Sequence, residues 1–255
     1  MIDAHVHVWQ LGRHGCIWPT PDLAPIHRDF TLADYPGDAG LILVQTQEDA
    51  RDTAWLLALA QDPRILGVVG WADLERPESI PAHPKLKGLR PMVQGRAPDW
   101  YDRPELAAGF EAMAARGLVL DALVRPAHLP ALARLAARHP DLTIVVDHAA
   151  KPDFADLPAW SAAIAGLAPY PNVACKLSGL LTELAPGAGP DALRPAFDTL
   201  WRLFGPDRLL WGSDWPVVTL AASHADWLAL AQSLVPAEHH AAIFAANAAR
   251  IYRLD

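Results

Sequence analysis

The chain has 255 residues, 52% of them hydrophobic and 20% charged, with 24 prolines, 10 tryptophans, two cysteines and a formal net charge of −8. Its longest uninterrupted apolar stretches, such as Ala54–Ala60, fall far short of the ~18 residues that span a bilayer. An acidic balance without any basic run argues against nucleic acid or an anionic membrane surface as the main partner.

In chain order, apolar or β-branched runs alternate with amphipathic helical patterns, the organisation of a parallel α/β fold. The predicted strands are Ile2–Val8, Leu41–Thr46, Ile65–Trp71, Leu86–Arg90, Leu118–Val124, Thr143–Asp147, Val173–Leu177 and Leu209–Trp211. The predicted helices are Asp49–Gln61, Pro104–Arg116, Leu129–His139, Asp156–Leu167, Pro190–Phe204, Ser223–Ser233 and Pro236–Ile251. Pro104 suits a first helical turn and Gly117 a C-terminal cap. His139-Pro140-Asp141 and Gly205-Pro206-Asp207 mark helix ends before strands six and eight. Three stretches stay irregular, Gln10–Pro36, Glu75–Lys85 and Val93–Arg103, and loops of such length in a compact domain tend to be functional. No composition break or linker divides the chain, so residues 1–255 are expected to form one domain. The two cysteines, Cys16 and Cys175, read as packing residues. The opening Met1-Ile2-Asp3-Ala4-His5 has neither a basic nor an apolar leader pattern, from which a cytoplasmic location is expected.

Eight strands in about 250 residues point to a (β/α)8 barrel, whose active site is assembled where strands end and the following loops begin. A doubly wound open sheet is the alternative, but it calls for a glycine-rich phosphate loop after the first strand. Here that strand runs into His5-Val6-His7-Val8-Trp9. Period-two geometry puts His5 and His7 on one face, where they can share a cation. With 11 histidines in the chain, position says more than spacing, and this pair closes the first strand. His239-His240 instead falls in a helical pattern and reads as solvated surface.

The remaining strand ends supply Gln45 and Glu48, then Lys87 and Arg90, Arg125, Asp147 and His148, Lys176 and Ser178, and finally Ser213, Asp214 and Trp215. Asp214, after an apolar strand, can serve as a general base or ligate a metal; it can also simply cap the following loop. His148 can polarise a carbonyl, ligate metal or be a satisfied core histidine, while Asp147 alternates to the opposite face and reads as a brace between loops. Arg90 and Arg125 offer planar donors to a carboxylate or a polarised carbonyl, or pair structurally. Arginine outnumbers lysine 17 to 4, and all four lysines (Lys85, Lys87, Lys151 and Lys176) lie in or beside predicted strands.

These residues resemble the amidohydrolase-related, metal-dependent hydrolases of the TIM-barrel class, in the sugar-acid lactonase branch of L-fuconolactonase- and L-rhamnonolactonase-like enzymes. A more distant likeness is to 2-pyrone-4,6-dicarboxylate lactonase. The resemblance rests on Asp3-Ala4-His5-Val6-His7-Val8-Trp9, Gly67–Leu74, Lys87-Gly88-Leu89-Arg90, Asp147-His148 with Lys151-Pro152, Cys175–Leu180 with Thr182-Glu183, Gly212-Ser213-Asp214-Trp215-Pro216 and Asn247–Tyr252. It implies hydrolysis of a lactone, with Asp214, His148 and Arg90 as catalytic residues. His5, His7, Glu48 and Asp214 are the candidate ligands of a divalent metal, expected to be a mononuclear zinc, although members of the branch differ in whether a metal is essential. Gln45, Arg125, Trp18 and Trp215 are the candidate substrate contacts.

The expected activity is thus opening of an aldonolactone in sugar-acid catabolism, by a monomer or small homo-oligomer acting on a small molecule. The alternatives are a dicarboxylate lactone clamped by Arg90 and Arg125, a metal-dependent decarboxylase, and a Schiff-base aldolase using Lys176. A non-enzymatic binding barrel has the least support, because it has no use for His5, His7, His148 and Asp214 at strand ends.

Overall fold

The computed structural model describes residues 1–185 and 187–254. Eight parallel strands follow one another in chain order around one sheet: β1 (Ile2–Val6), β2 (Gly40–Val44), β3 (Ile65–Gly70), β4 (Leu86–Leu89), β5 (Val119–Ala122), β6 (Ile144–Val146), β7 (Val173–Leu177) and β8 (Leu209–Trp211). The last strand returns to the first through Asp214 N–H to His5 O at 2.9 Å and His7 N–H to Trp215 O at 2.8 Å, which close the barrel. These closing bonds belong to the segments that carry His5, His7 and Asp214. The bonds that close the barrel therefore also fix these three residues relative to one another.

The helices are α1 (Ala50–Leu59), α2 (Ala107–Ala115), α3 (Leu129–Arg138), α4 (Leu157–Ala165), α5 (Arg194–Phe204), α6 (His224–Leu234) and α7 (Asn247–Ile251). Local chemistry sets several ends. Asp49, Asp156 and Ser223 accept backbone N–H groups in the first turns of α1, α4 and α6, satisfying donors that lack an intrahelical partner. After α2, Gly117 takes φ +65° while its N–H reaches Ala114 O and the Leu118 N–H reaches Met113 O, the paired bonds of a Schellman stop. The sequence predicts one helix over Pro236–Ile251. The chain instead breaks it into a 3-10 turn, a wide π turn over Ala242–Ala246 and α7. The wide turn immediately precedes Asn247, whose buried amide donates to Pro206 O and Leu209 O beside β8. Between β3 and β4 the only helical element is the short turn Pro77–Ser79. Among the described residues, no helix is long and apolar enough to cross a membrane.

Two apolar layers hold the elements in place. The larger lies between strands and helices; in α3 it takes Leu129, Leu132, Leu135 and Ala136, the spacing of one helical face. The smaller gathers Ala4, Ile42, Val44, Val69, Val119, Val145, Ala174 and Leu210 from seven strands, with Ala248, Ile251 and Tyr252 of the C-terminal segment. Above it the packing turns polar: Lys176, Asp121, Asp147 and His5 are all fully buried.

Candidate active site at the strand ends

His5, near the end of β1, converges with His7, His148 and Asp214, which follow the carboxyl ends of β1, β6 and β8. His7 Nδ1 lies 2.7 Å from Val44 O. A carbonyl accepts, so Nδ1 carries a proton, and Nε2 is the ring nitrogen turned toward His5 and Asp214. His5 Nε2 is 3.1 Å from His7 Nε2, and Asp214 Oδ1 is 3.3 Å from His7 Nε2 and 3.7 Å from His5 Nε2. Burial first, and the neighbouring Lys176 second, hold His5 well below the ordinary imidazole range, so its ring is neutral. Burial alone would raise the Asp214 carboxyl. The three surrounding histidines outweigh burial and hold it below the usual carboxylate range.

The spacing fits a metal. Ligand atoms at zinc's ~2.0–2.1 Å bond lengths lie about 3.3 Å apart on a tetrahedron. The three separations above straddle that value, and three protein ligands would leave a fourth position for water or substrate, as in catalytic zinc sites. Among the described residues a second group, His5, Asp147 and His148, also brings its donor atoms within 4.8 Å of one another.

His148 reaches the site by an unusual route. His148, Ala149, Ala150 and Lys151 all have φ between +50° and +59°, where each non-glycine residue costs on the order of 1–3 kcal/mol. The left-handed turn begins at His148, so Asp147 keeps the alternation set by Val145 and His148 breaks it. Asp147, expected as a loop brace on the other face, instead points inward, 3.0 Å from Lys176 Nζ, 3.5 Å from His5 Nδ1 and 3.5 Å from Arg90 NH1. His148 turns toward the cavity, its Nδ1 2.9 Å from Ser178 Oγ and its Nε2 4.0 Å from Asp214 Oδ1.

Gly179, at φ +62°, lies directly against this pair: a Cβ there would sit 2.7 Å from His148 Cγ and 3.1 Å from Asp214 Oδ2. Gly179→Ala is expected to lower kcat about 10- to 100-fold, because displacements of about 1 Å in a reacting group carry penalties of this size. Steady-state kinetics with circular dichroism as a folding control measure it. An unchanged kcat would show that the spacing of His148 and Asp214 does not set the rate.

Arg90, 3% exposed, is fixed from both ends. It donates through NH2 to Gln45 O, while Gln45 Nε2 donates to Arg90 O at 2.6 Å and Arg90 NH1 lies 3.4 Å from His5 Nε2. Its Nε has no partner. The adjoining cavity, about 580 Å3, is lined by His7, His148, Asp214 and Arg90, with Trp18 and Ile17 from the long loop after β1 and Lys151 and Thr182 from the loops after β6 and β7. Gln47 clamps that long loop, accepting from Ile17 N–H at 3.1 Å and donating to Trp18 O at 2.8 Å.

The other expected site residues lie differently. Gln45 is fully buried, spends its amide on Arg90 and does not line the cavity. Arg125 is exposed and outside the lining, at the start of the turn Pro126–His128. Trp215 is buried against Phe30 and Tyr35. Glu48 lines the cavity, but its carboxylate takes Arg96 at 2.7 Å and the Met92 N–H at 3.3 Å, and it belongs to neither candidate metal group. Lys176 is fully buried beneath the site against two carboxylates, a poor setting for a Schiff-base amine. Lys85 and Lys87 donate to the backbone carbonyls of Ile65 and Arg253. Residues that strand-end reasoning missed include Asp121, which pairs with Lys176, and Tyr252, which donates to Asp121 Oδ1 at 2.8 Å. An aspartate inside Val119-Leu120-Asp121-Ala122 was the available signal.

Comparison with known proteins supplies a context for this geometry. The amidohydrolase family model matches residues 2–254. An L-fucono-1,5-lactonase of Burkholderia ambifaria is 42% identical, over 100% of this chain and 96% of its own. A second L-fucono-1,5-lactonase, from Burkholderia multivorans, is 35% identical over 99% and 96%. The crystal structure of an amidohydrolase from Burkholderia multivorans with bound zinc superposes with a TM-score of 0.91, at 36% identity, covering 100% of this chain and 99% of that one.

Proposed function

The chain belongs to the amidohydrolase family, and from that premise we propose that it hydrolyses a neutral, hydroxyl-bearing sugar lactone of the L-fucono-1,5-lactone type to the open-chain acid. The observation that carries this reading is the convergence of two imidazoles, a carboxylate and a third histidine at one cavity. His5, His7 and Asp214 would hold a divalent ion, zinc in the related structure, which supplies Lewis-acid polarisation of an ester carbonyl. Asp214 takes one proton from water as the water oxygen bonds to the carbonyl carbon. A Ser178 hydroxyl that donates to His148 Nδ1 leaves Nε2–H to donate to the carbonyl oxygen as negative charge develops there, where preorganised donors contribute most. Arg90, with its unpartnered Nε, adds a second fixed donor set. When the tetrahedral carbon collapses, the ring C–O bond breaks and the Asp214 proton passes to the departing ring oxygen.

Cavity charge favours a neutral substrate over a dicarboxylate. Each of the three cationic side chains lining the cavity has a carboxylate partner: Arg51 with Asp49 at 2.6 Å, Arg90 with Asp147 at 3.5 Å and Lys151 with Glu183 at 2.8 Å. An acid group entering the cavity would compete with all three. Acid release followed with a pH indicator tests the reading: L-fucono-1,5-lactone is expected to be opened and 2-pyrone-4,6-dicarboxylate is not. The reverse preference would replace this substrate class, and release from neither would reject lactone hydrolysis. Stripping metal with a chelator is expected to lower turnover at least about tenfold, with recovery on adding zinc. Full turnover by protein shown to be metal-free would remove the ion from the reaction.

A further inference from the structure

We propose that Lys151 and Gln94 read the hydroxyl groups of the substrate from two different strand-end loops, Lys151 as donor and Gln94 as acceptor, with Glu183 as the positioning residue for Lys151. The proposal deepens the lactonase reading and rests on it. Three observations converge. First, the left-handed turn from His148 to Lys151 delivers two side chains to the same cavity, one to the reacting end and one to its wall. Four consecutive strained residues persist only where their surroundings fix them, and such strain clusters at functional sites. Second, Lys151 Nζ donates to Glu183 Oε1 at 2.8 Å, with both side chains about one-fifth exposed (18% and 19%). Glu183 itself is outside the lining. It therefore holds the ammonium in place and cancels its charge, while two ammonium protons remain for a ligand. Third, Gln94 lines the same cavity, and its side-chain carbonyl oxygen is buried with no donor among the described residues.

A buried acceptor without a partner costs free energy that a ligand donor would recover. A carboxylate or ketone cannot supply that proton, but a hydroxyl can. A charge-compensated ammonium and an orphan acceptor lining the same cavity thus select a polyhydroxylated, uncharged molecule. Sites built to hydrogen-bond a hydroxyl reject analogues lacking it far more strongly than apolar pockets reject a missing methylene.

The test is a ratio: kcat/KM for L-fucono-1,5-lactone divided by kcat/KM for δ-valerolactone, which has the same ring and no hydroxyls. Lys151→Met and Gln94→Leu are each expected to lower the ratio at least about tenfold, the loss of one hydrogen bond from a buried or charged partner. Glu183→Gln should lower it less. Circular dichroism verifies folding. If a variant loses activity toward both lactones in equal proportion, the ratio is unchanged and the residue is structural, which overturns its part of the proposal. If the wild type opens neither lactone, the lactonase reading fails by itself. Calorimetric titration of the same proteins with L-fucono-1,5-lactone then decides the subsite: at least tenfold weaker binding in the variants sustains it, and equal or absent binding overturns it.

Discussion

Asp214→Asn is expected to fold like the wild type and to turn over lactone about 10^3-fold more slowly, within the 10²- to 10⁴-fold range of a lost general base. The substitution isolates charge unusually well. Asp214 sits at φ +58°, a left-handed conformation that asparagine and aspartate adopt more readily than other non-glycine residues. Asparagine keeps that backbone and the size of the side chain while removing the proton acceptor. Alanine would add backbone strain and confuse the outcome. Zinc content, measured on the same protein, separates two roles that the geometry unites, since Asp214 Oδ1 is within 3.7 Å of both His5 and His7. Lost turnover with retained zinc assigns the proton transfer to Asp214; lost zinc makes ligation its larger contribution. Turnover within about threefold of wild type, far inside the loss that removal of a general base produces, would reject both roles.

The positions of His5, His7 and Asp214 were legible in the sequence because a barrel gathers the ends of its strands whatever their order. Strand boundaries came within a residue or two for the same reason: apolar runs must stop where the chain leaves the core. Side-chain direction beyond a strand end was not legible. Gln45, Arg125 and Trp215 stand at strand ends, yet one bonds Arg90, one faces solvent and one fills an aromatic cluster. Alternation failed at His148, because no local pattern announces four left-handed residues without glycine. A subtler signal was present and unused. Asp121 lies inside an apolar strand and Lys176 inside another, and a buried charge demands a partner. An anion and a cation in fully buried strands, Asp121 in β5 and Lys176 in β7, are candidates for each other.

That pair makes Lys176→Met the substitution expected to cost most stability. Lys176 Nζ is fully buried and reaches Asp121 Oδ2, Asp147 Oδ1 at 3.0 Å and His5 Nδ1 at 3.1 Å. Burial raises the Asp121 carboxyl to about 6, with Lys176 opposing that rise. At Asp147 burial also raises, but Lys176 and His5 overcome it and hold the group well below the ordinary range. Methionine matches the stem of lysine and fills the same volume, so packing is largely kept. What remains is two buried carboxylates without their cation, and removing one partner of a buried pair typically costs ~3–5 kcal/mol. For a barrel of this size that is a fall in Tm of roughly 6–20 °C. The sign with pH follows from linkage. Without the ammonium, the Asp121 carboxyl, already above its unfolded value, is expected to rise further, and the Asp147 carboxyl to rise from its depressed position. Their penalty is then full at pH 7–8 and shrinks as pH falls through the folded pKa of each. The gap between variant and wild type should therefore narrow toward pH 5. Thermal melts at both pH values measure it. The double substitution Lys176→Met with Asp121→Leu should recover part of the loss, since the apolar replacement removes one of the two stranded charges. A single variant within about 1 kcal/mol of wild type, the scale of an exposed pair, would mean that Arg90 and His5 suffice to hold Asp147. In that case the lysine beneath the site would have to be explained by the reaction rather than by the fold.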